Sequence, residues 1–279
     1  MTTLDFDLPD FTDPPVGEVV LSVQFPKIEK FEAAHFGRFW SALGTAFPKT
    51  ETHAPLPPIV ETFAAPSAAS KIGVQFREVP PISRAWFISD DGSRLIQVQP
   101  DRFSCNWRKM RSGDVYPRYE LVRSEFDAVW QTFVGFLREQ GLAPAMPPII
   151  QCEVGYINHI AQGTAWTKHS DAANVLRFLS SDVPLANCLR QETVSFSSTF
   201  EIRSSDSESV PIGRLHLDFG PGIETEKNQP IFILNLLARG MLKGGASDDL
   251  QFLDLGRKVI VDTFKRISTP RMHLVWGLS

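Results

Sequence analysis

Residues 94–109 read RLIQVQPDRFSCNWRK, and their alternation of apolar and polar side chains decides the fold class. The alternation runs from Ile96 to Gln99 and again from Phe103 to Arg108. A period of two is typical of a β-strand with one buried and one polar face. The stretch therefore predicts two strands, at 94–99 and 101–109, of an antiparallel sheet that is covered on one side.

The segments upstream of this stretch extend the sheet. Asp91-Gly92 is a good hairpin signal and predicts that a strand at 84–89 pairs with 94–99. The pattern further predicts a strand at 17–25 and a short helix at 31–43. The proline-rich residues 46–82 predict a long irregular connection, and the acidic residues 1–16 predict an extended N-terminal arm.

The downstream segments repeat this order. Ser124 is a candidate N-terminal cap of an amphipathic helix that ends near Gly141. Ser247 or Asp248 is the candidate start of a second long helix, which reaches Ile267. The remaining predicted elements are a short helix at 171–179 and strands at 149–158, 193–203, 214–219, 231–238 and 272–277.

The predicted architecture is α+β: an antiparallel sheet with helices packed on one face. The order strand–helix–three strands–helix occurs twice, which predicts two pseudo-repeated β-α-β-β-β-α halves at 17–145 and 146–279, after the arm at 1–16. One continuous domain is the alternative. Saddle-like and helix-grip folds are analogous arrangements.

Composition limits the function classes. The 279 residues carry a formal net charge of −4, so no global basic field attracts nucleic acid or an anionic membrane. The three cysteines are widely spaced and fit a reducing compartment. No stretch approaches the ~20 apolar residues of a membrane span, and the N-terminus lacks a signal-peptide pattern. We expect a cytoplasmic protein.

Common catalytic signatures are missing from the sequence. It contains no phosphate-binding loop, no GxGxxG, no GxSxG and no HExxH. The six histidines have no paired metal spacing, and no CxxC is present. We therefore expect no metal and no cofactor, and we favour a protein that is not an enzyme.

The densest polar and aromatic segment spans residues 106–119. Guanidinium groups beside aromatic rings suit carboxylates, phosphates or single-stranded nucleic acid. A solvated loop, an acidic protein partner and a nucleic acid all remain open as interpretations. The candidate binding residues of this segment are Asn106, Arg108, Lys109, Tyr116, Arg118 and Tyr119.

Two further candidates lie on later strands. Glu153 is expected to project from the polar face, where Arg108 on a neighbouring strand would be its simplest partner. His216 lies between Arg214 and Asp218 on one face and is either a surface histidine or a proton-transfer group. An enzyme would require Arg108, Glu153 and His216 to converge on one site.

Several short motifs together resemble a sporadically distributed family of bacterial and archaeal proteins of about this length, for which no activity is established. The motifs that carry the resemblance are Asp13-Pro14-Pro15 with Glu18-Val19-Val20, Val23-Gln24-Phe25, His35-Phe36-Gly37 with Phe39-Trp40, Gln97-Val98-Gln99 with Asp101-Arg102-Phe103, Asn106-Trp107-Arg108-Lys109, Tyr116-Pro117-Arg118-Tyr119, Gln151-Cys152-Glu153 with Tyr156-Ile157-Asn158, and Met272-His273 with Trp276. The scattered occurrence of the family implies horizontally moved genes, such as those of toxin–antitoxin or anti-phage defence systems.

These observations favour a non-enzymatic protein-binding component that uses the polar sheet face and residues 106–119. A nucleic-acid or nucleotide binder and an enzyme with a site between sheet and helices are the alternatives. The sequence leaves open the partner, the oligomeric state and whether the polar face is covered.

Overall fold

The alternating segments form a nine-stranded antiparallel sheet in the computed structural model of the protein. The structure describes residues 6, 8–63, 83–143, 146–179, 186, 188–204, 210–224, 227–241 and 250–278. Within them the strands are β1 (Val16–Gln24), β2 (Lys49–His53), β3 (Arg84–Ile88), β4 (Arg94–Gln99), β5 (Arg102–Arg108), β6 (Gln151–Ala161), β7 (Phe196–Ile202), β8 (Gly213–Glu224) and β9 (Gln229–Gly240). The α-helices are α1 (Ala33–Ala42), α2 (Tyr119–Glu139), α3 (Gln251–Ile267) and α4 (Pro270–Val275).

The strand order is β2-β3-β4-β5-β1-β6-β9-β8-β7. The predicted β3–β4 hairpin is confirmed, with Gly92 at φ +79° in its turn. β1 and β6 pair at the centre, where Val23 lies opposite Cys152. Segments 17–145 and 146–279 therefore contribute their strands to a single sheet.

The helices cover one face of the sheet, as the alternation predicts. Phe133 and Trp130 of α2 lie among aromatic rings from the sheet and from α1, and the ring centroids of Phe133 and Phe103 are 5.0 Å apart. α3 packs on β6 and β9, where a methyl group at Gly256 would lie 3.1 Å from Val154. Burial of these side chains is the main force that holds sheet and helices together.

The structure corrects three predicted elements. Residues 272–277 are not a strand, because Thr269 caps a helix by accepting a hydrogen bond from the Met272 amide, with Pro270 at its first position. α2 begins at Tyr119, so Ser124 lies inside the helix and its hydroxyl donates to the Leu121 carbonyl. The irregular connection at 46–82 contains β2.

Two other predicted boundaries also change. A 3-10 helix at His169–Asn174 replaces the short helix expected at 171–179. α3 begins at Gln251, whereas the predicted start at Ser247 or Asp248 falls outside the described residues.

The described part of the N-terminal arm folds back onto the helical side. Phe11 is 5% exposed and packs edge-on against Phe264 and Trp276. It also forms an isolated β-bridge with Leu278, and the Thr12 amide donates to the Gly277 carbonyl. The described part of the arm is therefore packed against the segment that contains Phe264, Trp276 and Leu278.

Candidate functional site

A continuous row of polar side chains crosses the sheet face that points away from the helices. The strand register aligns Ser104 of β5 with Ser22 of β1, Ser22 with Glu153 of β6, Glu153 with Arg239 of β9, and Arg239 with Arg214 of β8. Facing residues of neighbouring strands are close enough to interact. We call this side of the sheet the polar face.

Residues 55–63, which we call the strap, lie across the polar face. Gln99 of β4 makes two hydrogen bonds with Leu56, because its Nε2 donates to the Leu56 carbonyl and its Oε1 accepts from the Leu56 amide, both at 3.0 Å. Gln24 of β1 and Gln151 of β6 both donate to the Ile59 carbonyl, at 2.9 and 2.8 Å. Side chains of three strands thus hold the backbone of the strap.

Near its C-terminal end, the strap makes a buried ionic contact through Glu61. Its Oε2 lies 2.5 Å from Arg214 Nη1, its Oε1 lies 2.7 Å from His216 Nε2, and Arg239 Nη1 is 3.7 Å away. The Glu61 side chain is only 9% exposed. Burial alone would raise its pKa, but the hydrogen bonds from His216 and Arg214 outweigh burial and lower the pKa to about 2.

Glu153 is the second buried carboxylate of the polar face. Its Oε1 lies 3.6 Å from Arg102 Nη2 and 3.7 Å from Arg239 Nε, and it accepts a hydrogen bond from Gln24. Two arginines therefore compensate its charge. The expected pairing with Arg108 is wrong, because these arginines occupy the neighbouring positions instead.

Arg108 lies far from Glu153 along the strands. Opposite Arg108 on β1 is Glu18, whereas opposite Glu153 is Ser22, four residues further. Four residues of β-strand span about 13 Å at ~3.3 Å per residue. The Arg108 guanidinium instead donates to the Gly92 carbonyl. The structure thus does not bring together the three residues that the enzyme interpretation requires, although Glu153 and His216 share a face.

Asn106 lies beside a different carboxylate of the polar face. Its Nδ2 donates to Glu18 Oε1 at 2.5 Å. Burial raises the pKa of Glu18, and the hydrogen bond from Asn106 and the charge of Arg108 offset that increase only in part.

The predicted basic and aromatic segment does not form one surface. Lys109 is half-buried beside β1, where its amide donates to the Gly17 carbonyl. Tyr116 lies on the helical side, with its hydroxyl 2.9 Å from that of Tyr156. Arg118 and Tyr119 are on that side too, and Arg118 donates to the Phe11 carbonyl. Asn106 and Arg108 remain on the polar face, so the sheet separates the two groups.

Several residues of the site are not predicted as site residues from the sequence. Two features of the sequence point towards some of them: the repeated Val-Gln steps at Val23-Gln24 and Val98-Gln99, and a lone glutamate in the apolar run PLPPIVETF. The site residues that lack a prediction are Gln24, Gln99, Gln151, Glu61, Arg102 and Arg239.

Among the described residues, no group of three or more histidine, cysteine, aspartate or glutamate side chains has an arrangement that could hold a metal ion. Within the same residues, no helix combines the length and apolar content needed to cross a bilayer. No protein-family model matches the chain, and no curated protein matches it with significant similarity.

Proposed function

We propose that the protein is a non-enzymatic binding component whose polar face holds an extended, acidic segment of a protein partner. The observation that carries this proposal is the contact of Glu61 with Arg214 and His216. Through it the polar face receives an extended chain with a carboxylate at a fixed place. Hydrogen bonds to charged groups are stronger than neutral ones, so this contact selects an acidic residue.

The way the strap is held resembles recognition of a peptide. Glutamine side chains bind the backbone of the strap, and backbone groups are present in a peptide of any sequence. The strap residues Leu56, Ile59 and Val60 are 36–45% exposed. Such a surface accepts many apolar side chains and one required carboxylate. A partner segment that displaced the strap would therefore be extended and would place Asp or Glu at the position of Glu61.

Charge supports the same ligand class. Loss of Glu61 from the polar face takes away a carboxylate that lies within 4 Å of Arg214, His216 and Arg239. An acidic partner segment would restore the neutralisation. Electrostatic complementarity of this kind raises association rates and discriminates against basic partners.

The test uses the strap as the probe. A fluorescein-labelled peptide of residues 54–63, APLPPIVETF, is titrated against the wild-type chain and against Glu61→Ala, with binding followed by anisotropy. Glu61→Ala weakens the internal strap and is expected to bind the peptide at least tenfold tighter than wild type. A peptide with Gln in place of its glutamate should bind about tenfold weaker, since a neutral amide loses the charge-assisted bonds.

Matched variants locate the binding surface. Arg214→Met in the Glu61→Ala background should abolish peptide binding, whereas Arg108→Ala, also on the polar face but away from the strap, should leave it unchanged. If the folded Glu61→Ala chain showed no affinity for the peptide, the polar face would not be a peptide site.

A nucleic-acid or nucleotide ligand is the second candidate, because Arg84 and Arg108 approach the ring of Trp86 at 5.4 and 5.8 Å. However, the His53 ring already lies against it, with the ring centroids 3.8 Å apart, which leaves less room for a base. A labelled oligonucleotide in the same titration distinguishes the two, since its affinity would fall steeply with salt.

The proposal has two further parts, an internal duplication and a role in defence, and the strand order supports the first. Outward from β1 the sheet continues through β5, β4, β3 and β2, and outward from β6 through β9, β8 and β7. Apart from the edge strand β2, the two halves follow the same strand order outward from the centre, which supports an internal duplication. A cytoplasmic defence or toxin–antitoxin role is consistent with a binding protein and rests on the resemblance described for the sequence.

A further inference from the structure

A cavity of about 500 Å³ lies on the helical side of the sheet, opposite the strap. Its floor includes Tyr156 and Asn158 of β6 and Leu236 of β9, and one wall is formed by Ile260 and Phe264 of α3. Residues 8–11 and 14 of the N-terminal arm form part of its lining. Its volume is within the range of roughly 300–1,000 Å³ that is typical of small-molecule sites.

Arg257 of α3 supplies the cavity with a positive charge that is weakly compensated. Among the described residues it pairs with Glu120 at 3.9 Å, and that side chain is 75% exposed. The buried Nε of Arg257 has no hydrogen-bond partner within the described part of the chain. A buried donor without a partner is costly, so an acceptor at this place would stabilise the site.

Tyrosine side chains lie near the guanidinium, and Arg257 Cζ is 5.4 Å from the ring centroid of Tyr119. Burial raises the pKa of Tyr156 to about 12, although hydrogen bonds from Tyr116 and Arg257 oppose the increase. Burial also raises the pKa values of Tyr116 and Tyr119. The three phenols are thus neutral at physiological pH and add no negative charge to the cavity.

Backbone strain occurs at the cavity's edge. Arg118, directly before α2, has φ +72°, a conformation that non-glycine residues rarely adopt. Its Nη1 donates to the Phe11 carbonyl at 2.9 Å and so fastens the arm over the cavity. Strained residues of this kind cluster at ligand sites, where the surrounding structure maintains them.

We infer that this cavity binds a small organic anion with an apolar or aromatic body, whose anionic group contacts Arg257 and whose body packs on Leu236, Ile260 and Phe264. The ligand's oxygen atoms would supply the acceptor that Arg257 Nε lacks. Because the polar face and the cavity lie on opposite sides of the sheet, this site does not depend on the peptide-binding proposal.

Two fluorescent probes with the same rings test the inference. 8-Anilinonaphthalene-1-sulfonate is an anionic aromatic amphiphile, and N-phenyl-1-naphthylamine is its neutral counterpart without the sulfonate. The folded wild-type chain is expected to bind the anionic probe with one-to-one stoichiometry, and at least tenfold tighter than the neutral probe.

Two variants assign the binding to the cavity. Arg257→Met should lower the affinity for the anionic probe at least tenfold and change the affinity for the neutral probe less than threefold. Val261→Phe, which fills the cavity from α3, should lower the affinity for both probes. Circular dichroism and thermal unfolding confirm that each variant is folded. The inference would be overturned if the anionic probe did not bind the wild-type chain with one-to-one stoichiometry. It would also be overturned if this probe bound Arg257→Met and wild type with equal affinity.

Discussion

Oε2 of Glu61 lies 2.5 Å from Nη1 of Arg214, and the two side chains are 9% and 10% exposed. The two residues are 153 positions apart in sequence. One belongs to a segment without regular structure and the other to β8, so this contact fastens an irregular chain to a rigid sheet. It is one of the contacts that hold the strap on the polar face.

Glu61→Gln should destabilise the protein in a pH-dependent manner. The folded pKa of about 2 is below the ordinary 4.5, so the carboxylate contributes stability above pH ~4.5 that is lost as pH falls towards 2. At pH 7 the variant should lose about 1–3 kcal/mol of unfolding free energy. Urea denaturation of both proteins at pH 7, 5, 4 and 3 should show the gap shrinking. An equal gap at pH 7 and pH 3 would contradict the assignment.

Glu18→Gln should behave in the opposite way, although it is also on the polar face. The raised pKa of Glu18 means that the folded state binds its proton more tightly, so wild-type stability falls as pH rises from about 4.5 through the folded pKa. The variant lacks this loss and can still accept the hydrogen bond from Asn106. We expect it to equal or exceed wild-type stability at pH 8, measured by urea denaturation. A clear destabilisation at pH 8 would refute this.

Gly213→Ala should destabilise the sheet where α3 approaches it. An added Cβ would lie 2.5 Å from the Arg239 carbonyl oxygen and 2.7 Å from Cζ of Phe252. Overpacking of this kind costs about 1–3 kcal/mol. The control is Gly135→Ala inside α2, where no described atom beyond its chain neighbours and its own helix backbone lies within 4 Å of the new methyl. A gain of roughly 0.5–1 kcal/mol is expected there. Thermal melts of both variants check the opposite signs.

Phe133→Ala should be among the most destabilising single changes. Phe133 is 0% exposed, and its ring contacts rings from α1, β5 and α2. Deleting it leaves a cavity and should cost about 3–5 kcal/mol. Leu121→Ala on the same helix, at a position 59% exposed, should stay within about 0.5 kcal/mol of wild type. Similar effects of the two changes on urea midpoints would show that the ring does not anchor α2.

Sequence patterning predicts those parts of the fold that depend on local periodicity. The alternation in 94–109 identifies β4 and β5 and their polar side, because successive strand residues point to opposite faces. The strand predicted at 272–277 is wrong, because the cap at Thr269 and the proline that follows it favour a helix. Local capping decides the structure of so short a segment.

The candidate site is only partly predictable from sequence, for a physical reason. Glu153 and His216 are correctly expected on the polar side, since strand position determines the face. The strap has no periodicity, and its location depends on contacts between residues far apart in sequence. The contacts of Glu153 with Arg102 and Arg239 likewise depend on which strands lie beside β6 and in which register. The residues of β6 alone reveal neither.

The central pairing of β1 with β6 has a consequence for any fragment of this chain. If the chain were separated after α2, each fragment would carry one of these strands at an open edge, with a row of backbone donors and acceptors exposed. Such edges are templates for pairing with another chain. Each fragment alone would tend to self-associate, and the mixture would reassemble across the β1–β6 seam. Covalent continuity makes this seam intramolecular and so replaces a concentration-dependent association by a permanent one.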